Sequence, residues 1–199
     1  MAEAVYHGEP LPVGSLGRNA VGWWGMLCLI ATESSLFAYL LFSYYYFAAQ
    51  NGKAWLPSAH PQWRLSGPDT LVLLTSSVAI WWAERGIKRG ARTQHLMGTA
   101  IAIALGLAFL VVQYFEWRGK GFTITTGSYG SLYFTITGFH MAHVVVGVIM
   151  LSVVFAWSLA GDFNERRHTP VMMSSVYWHF VDAVWLVVFF TFYVTPYLW

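Results

Sequence analysis

His140 and His143 stand three residues apart in this 199-residue chain, and His179 and Asp182 repeat the spacing. Residues three apart are neighbours on a helix surface. All four lie in apolar stretches, where a polar side chain is costly unless it has a partner, a cavity or a role. Glu33, and the pair Gln113 and Glu116, lie in two further apolar stretches. Paired His-x-x-His and His-x-x-Asp on neighbouring helices, with glutamates nearby, could build a metal site, as the Glu-x-x-His motifs of four-helix carboxylate proteins do. Two histidines on different helices could equally hold a b-type haem. The competing reading is that these groups hydrogen-bond one another across helices, a contact worth about 1 kcal/mol in membranes. Three-residue spacing recurs readily on any helical face, so spacing alone leans towards that second reading. The single cysteine, Cys28, excludes a thiolate zinc or iron-sulfur site and an internal disulfide.

Glu33 is a different case. On a helix starting near Val21 it lies roughly 18 Å along the axis, near mid-membrane, with no Lys or Arg in that stretch. An ionised carboxylate without a cation is expensive in hydrocarbon, so Glu33 is expected to be neutral and hydrogen-bonded. It then serves either packing or a proton-handling or lipid-facing role.

The elements that must position these groups follow from composition. Hydrophobic residues make up 57% of the chain, aromatic ones 18% and charged ones only 10%, with a mean hydropathy of +0.51. Soluble domains carry about a quarter charged residues. Five apolar windows, roughly 20–50, 66–84, 93–116, 121–161 and 169–199, exclude every Lys and Arg. Each is long enough to cross about 30 Å of hydrocarbon, the second being the shortest. Their pattern is not the alternation of a membrane barrel, so they are predicted to be helices. Aromatic residues gather where the spans should leave the membrane, among them Trp23, Trp24, Tyr44 to Tyr46, Trp81, Trp82, Tyr114, Trp117, Trp157, Tyr197 and Trp199. With five spans, one side of the membrane holds Arg18, Arg85, Lys88, Arg89, Arg92, Arg166 and Arg167, and the other only Lys53, Arg64, Arg118 and Lys120. That asymmetry predicts a cytoplasmic N-terminus. Gly98, Ala102 and Gly106 form a small-residue stripe for close helix packing. The net charge of +2, spread over short loops, speaks against a nucleic-acid partner. The reading is an all-α integral membrane bundle of five transmembrane helices. Residues 1–20 form a polar cytoplasmic tail, residues 21–199 the membrane domain, and the loop 50–68, with Pro57, Pro61 and Pro68, covers the outer face.

Four segments carry a resemblance. TESSLF at 32–37, QYFEW at 113–117, SYGSLYFTITGFHMAHV at 128–144 and YWHFVDAVWL at 177–186 resemble, in order and spacing, subunit III of the haem-copper cytochrome c oxidases. The resemblance runs from about Gly22 to Tyr193. It implies that Glu33 is the family's buried membrane carboxylate and Glu116 the acid of its Gln-x-x-Glu motif with Gln113. His140 and His143 match its Gly-Phe-His-x-x-His pair, and His179 with Asp182 its Trp-His-Phe-x-Asp signature. None of these positions is catalytic or binds a redox metal in the family; haem and copper reside in oxidase subunits I and II, the implied partners. The implied role is a non-redox subunit of respiratory complex IV that supports oxygen reduction coupled to proton translocation by holding phospholipid, aiding proton uptake and protecting the catalytic subunit. Membership of a respiratory supercomplex is compatible with it, and the bacterial cytoplasmic membrane is the expected location. Longer family members have seven helices, and the five windows match the last five, which puts lipid binding in the family's usual cleft in question. Trp117 stands where Tyr is common, and Met141-Ala142 replaces Gly-Leu. The alternatives carried forward are a subunit III-like partner of a quinol oxidase or nitric oxide reductase, a lipid-binding assembly factor, and a haem- or metal-binding membrane enzyme.

Overall fold

The computed structural model of the protein describes residues 20–56, 63–165 and 167–198. The N-terminal tail with Arg18, the loop prolines Pro57 and Pro61, Arg166 and Trp199 lie outside the described residues. Five long helices make up the fold: α1 Val21–Asn51, α2 Trp63–Lys88, α3 Arg92–Arg118, α4 Ser128–Ala160 and α5 Thr169–Phe189. A 3₁₀ turn, Gly52–Trp55, follows α1, and α5 continues through a π-helical segment, Phe190–Val194, into a last α-helical turn, Thr195–Leu198.

Among the described residues, four helices are long and apolar enough to cross a membrane: α1, α3, α4 and the continuous stretch Thr169–Tyr197. The second expected span is a helix too, 26 residues long, or about 39 Å at 1.5 Å per residue. Its composition sets it apart, since Asp69, Glu84, Arg85 and Lys88 lie on it together with Ser66, Thr70, Thr75, Ser76 and Ser77. The long loop expected over 50–68 is shorter than that range, because α2 already begins at Trp63 and contains Pro68.

The helices form two flanks around a centre. The hairpin α2–α3 packs on one side of the pair α4–α5, and α1 packs on the other side, against α4 and α5. The α2–α3 turn is tight: Gly90 takes φ 72°, open to glycine at little cost, and the Ala91 amide reaches the Gly86 carbonyl at 2.9 Å. Small residues set the helix spacing. A Cβ on Gly98 would lie 2.7 Å from Ala83 Cβ, and one on Gly106 would lie 2.6 Å from the Trp178 ring. The same indole faces Gly147 of α4 from its other side, at 2.8 Å from a notional Cβ, so Trp178 is gripped between two glycines from different helices. The predicted stripe Gly98, Ala102 and Gly106 is wholly buried by these contacts.

Tyr44 departs from the expectation that it anchors at the membrane boundary. It is buried, with its ring 4.9 Å from Phe192 and 5.2 Å from Trp55, inside an aromatic core that includes Tyr129 and Tyr133. Its neighbour Tyr46 is exposed. The π-helical segment helps build this core, because its altered register buries the consecutive side chains Thr191, Phe192 and Tyr193.

Candidate functional site

The residues singled out by spacing resolve into three separate polar clusters. In the first, Glu33 of α1 meets His143 of α4, with 2.9 Å between Glu33 Oε2 and His143 Nε2. The other ring nitrogen, Nδ1, lies 2.6 Å from the Phe139 carbonyl. A carbonyl only accepts, so Nδ1 carries a hydrogen and donates it. Nε2 and the carboxyl oxygen then need one proton between them, or two lone pairs would face each other. The pair is a neutral acid against a neutral imidazole, or a carboxylate against an imidazolium, and is uncharged overall in either form. The acid expected to be hydrogen-bonded within its span has a partner, contributed from 110 positions further along the chain. Side-chain exposure within the chain is 26% for Glu33 and 13% for His143, so the shared proton lies near the surface of the α1–α4 groove and not in the core.

His140 does not join this pair. It is fully buried, its ring 4.8 Å from Trp185 and 5.8 Å from Phe109, and Nε2 donates to the Val181 carbonyl at 3.2 Å. Three residues along a helix leave two side chains about 60° apart in direction. Here that suffices to send His143 to α1 and His140 towards α3 and α5.

The second cluster joins α2 to α5. Ser77 donates to Asp182 Oδ2, and its oxygen lies 3.0 Å from His179 Nδ1, so the hydroxyl bridges the two sequence-predicted residues. A nucleophilic serine needs its hydrogen directed at the histidine. This one gives it to the carboxylate, an arrangement that ties helices together. Nearby, Glu84 accepts from Ser175 Oγ at 2.7 Å and pairs with Lys88 one turn on.

The third cluster lies where α3 ends. Glu116 accepts from Ser66 Oγ at 2.6 Å, from the Tyr193 hydroxyl, and from Lys120 Nζ at 2.7 Å. Tyr133 stands behind Tyr193 with 3.0 Å between the hydroxyls, and the Lys120 ammonium lies 5.1 Å from each of the two ring centres. Gln113, one turn earlier on α3, is fully buried with neither amide atom hydrogen-bonded to protein.

Among the described residues, no three His, Cys, Asp or Glu side chains are grouped to hold a metal ion. The arrangement instead ties the helices to one another through polar contacts, and two indoles add to it: Trp178 Nε1 donates to Ser76 at 2.9 Å and Trp185 Nε1 to Thr70 at 3.0 Å. Partners on α2 were missed by sequence reasoning, namely Ser66, Thr70, Ser76 and Ser77. Their signal was present in the polar face of that segment, where Ser66, Thr70 and Ser77 recur at helical spacing.

The family model described as cytochrome c oxidase subunit III matches residues 2–199. The chain belongs to that family. "Cytochrome c oxidase subunit 3" of Lemur catta is 38% identical over 183 residues, covering 88% of this chain and 65% of the lemur protein. The proteins of the same name from Dugong dugon and Tragelaphus oryx are 34% and 35% identical, each over 204 residues, covering 99% of this chain and 75% of theirs. The chain therefore spans about two thirds to three quarters of these relatives' length. The polar residues singled out in the sequence lie on four different helices: Glu33 on α1, Gln113 and Glu116 on α3, His140 and His143 on α4, and His179 with Asp182 on α5.

Proposed function

We propose that the chain is the non-redox subunit III of a haem-copper terminal oxidase, packed beside subunits I and II, which carry the haem and copper. Its activity is supportive: it stabilises the catalytic subunit, its lipid and its proton supply during reduction of oxygen to water. Family membership along nearly the whole chain carries this reading. The Glu33–His143 pair supports the proton part of it, being a one-proton couple at the surface of the α1–α4 groove and not in a sealed core. A cleft of about 450 Å³ lies between the α2–α3 turn and the α4–α5 loop, lined by Ile87, Phe163, Asn164, Arg92 and the acidic Glu165, with the Arg92 guanidinium donating to the Ser158 and Leu159 carbonyls.

In this reading α2 is the fifth span, shielded along its length by α3, and residues 21–199 form one membrane domain with residues 1–20 as its tail. The basic asymmetry supports a cytoplasmic N-terminus and α2–α3 turn, and the membrane of this reading is the bacterial cytoplasmic one. The polar family positions Glu33, Gln113, Glu116, His140, His143, His179 and Asp182 act as interhelical ties, with Glu33 the one that also handles a proton.

Two measurements test the proposal. The purified chain should bring with it one partner with haem-binding histidines and another with a two-copper motif, whereas a quinol oxidase would lack the copper partner. In matched preparations, Glu33→Gln should shorten the lifetime of oxygen consumption under sustained turnover while leaving haem content and the initial electron-transfer rate intact. An unchanged lifetime for both Glu33→Gln and Glu33→Ala would make Glu33 a packing residue.

A further inference from the structure

Asp69 has no part in the family motifs, yet it is among the most deeply buried acids of the described chain, 2% exposed, with both carboxyl oxygens unpartnered by protein. The α2–α3 register fixes what faces it. Ser66 meets Glu116, Ala83 faces Gly98 and Gly86 faces the His95 amide, so residue numbers of facing positions add to 181 or 182. By the same sum Asp69 is level with Gln113, whose amide oxygen and nitrogen are likewise buried and unpartnered.

The neighbouring hydroxyls leave Asp69 and Gln113 Oε1 without a donor, and only Gln113 Nε2 has an acceptor beside it, the Tyr133 oxygen. Tyr193 gives its hydrogen to Glu116 and Tyr133, behind it, gives its own to Tyr193, so neither hydroxyl has one left for Gln113. Lys120 already neutralises Glu116, the carboxylate within electrostatic reach of Asp69. The charged and titratable groups around Asp69 are thus Glu116 on α3, Lys120 just beyond it, Tyr133 on α4 and Tyr193 after α5, and an ionised Asp69 would add an uncompensated negative charge among them. Burying such a charge costs far more than taking up a proton. A carboxylic acid also complements the amide opposite: the two groups make no direct hydrogen bond, and a bridging water would take the acid's O–H and satisfy the Gln113 amide.

We infer that Asp69 and Gln113 form a proton-binding site inside the α2–α3 hairpin, holding one exchangeable proton as a neutral acid at neutral pH, separate from the Glu33–His143 pair. The readout does not depend on oxidase activity. Infrared spectra of the chain in the complex with which it purifies should contain a carboxylic-acid C=O band throughout the neutral range that moves down in D₂O and is absent in Asp69→Asn. In Gln113→Leu the same band should persist at a higher frequency, having lost its acceptor. Identical carboxylic-acid bands in the wild type and Asp69→Asn would show Asp69 ionised and overturn the site. So would thermal stabilisation by sodium or calcium ions that Asp69→Asn abolishes, since a metal cation would then occupy the proton's place.

Discussion

The proton shared by Glu33 and His143 makes the two residues one unit, and replacing either should be felt by the other. His143→Ala leaves a carboxyl in the α1–α4 groove without its partner, a loss of about 1–3 kcal/mol. Glu33→Gln should cost less, because an amide keeps the shape and can donate to the imidazole. A double-mutant cycle read by thermal denaturation of the purified complex should return a coupling of about 0.5–3 kcal/mol; additive losses would show that the two do not interact. Trp185 offers a smaller effect. Trp185→Phe removes the Nε1–Thr70 hydrogen bond between α5 and α2 while keeping most of the ring against His140 and Phe109, and should cost about 1 kcal/mol plus the lost ring area.

Among the helices, spacing is set by what glycine leaves out. Gly106→Ala or Gly147→Ala would drive a methyl group into the buried Trp178 ring from one side or the other, and overpacking of this kind costs about 1–3 kcal/mol. Gly25 on α1 is the control, since nothing lies within 4 Å of a Cβ built there. Gly25→Ala should be neutral or stabilising by up to about 1 kcal/mol, from helix propensity alone. Melting temperatures of the three variants in one detergent would check the ranking, and equal shifts would remove the indole grip as the explanation. The same logic explains the α2–α3 hairpin. Gly86 and Gly98 bring the two backbones close, and close approach is what lets Ser66 reach Glu116 at one end and His95 reach the Ala83 carbonyl at 3.3 Å at the other.

Across the whole molecule, the orientation proposed from basic residues predicts that reporter fusions after residues 90 and 165 are active only with a cytoplasmic reporter. A periplasmic signal from the first would invert the topology. The sequence by itself determined the helices and the family. Long apolar runs in lipid have no other way to satisfy their backbone groups, and the motifs around Glu33, Glu116, His140 and His179 are local strings. Only the tertiary structure decided which groups meet. His140 and His143 share a spacing that suggests one site, yet they turn to different helices, because about 60° of divergence matters once α1 lies on one side of α4 and α3 and α5 on the other. Tyr44 reads as a boundary aromatic until α1 docks and Phe192 and Trp55 enclose it. Asp69 lies at the start of the second apolar window, beside Pro68, and only the packing of α3 buries it level with Gln113. Helix formation depends on neighbours within a few residues, whereas a polar side chain's partner depends on helix packing across gaps of 50 to 110 positions, as at Ser66–Glu116 and Glu33–His143.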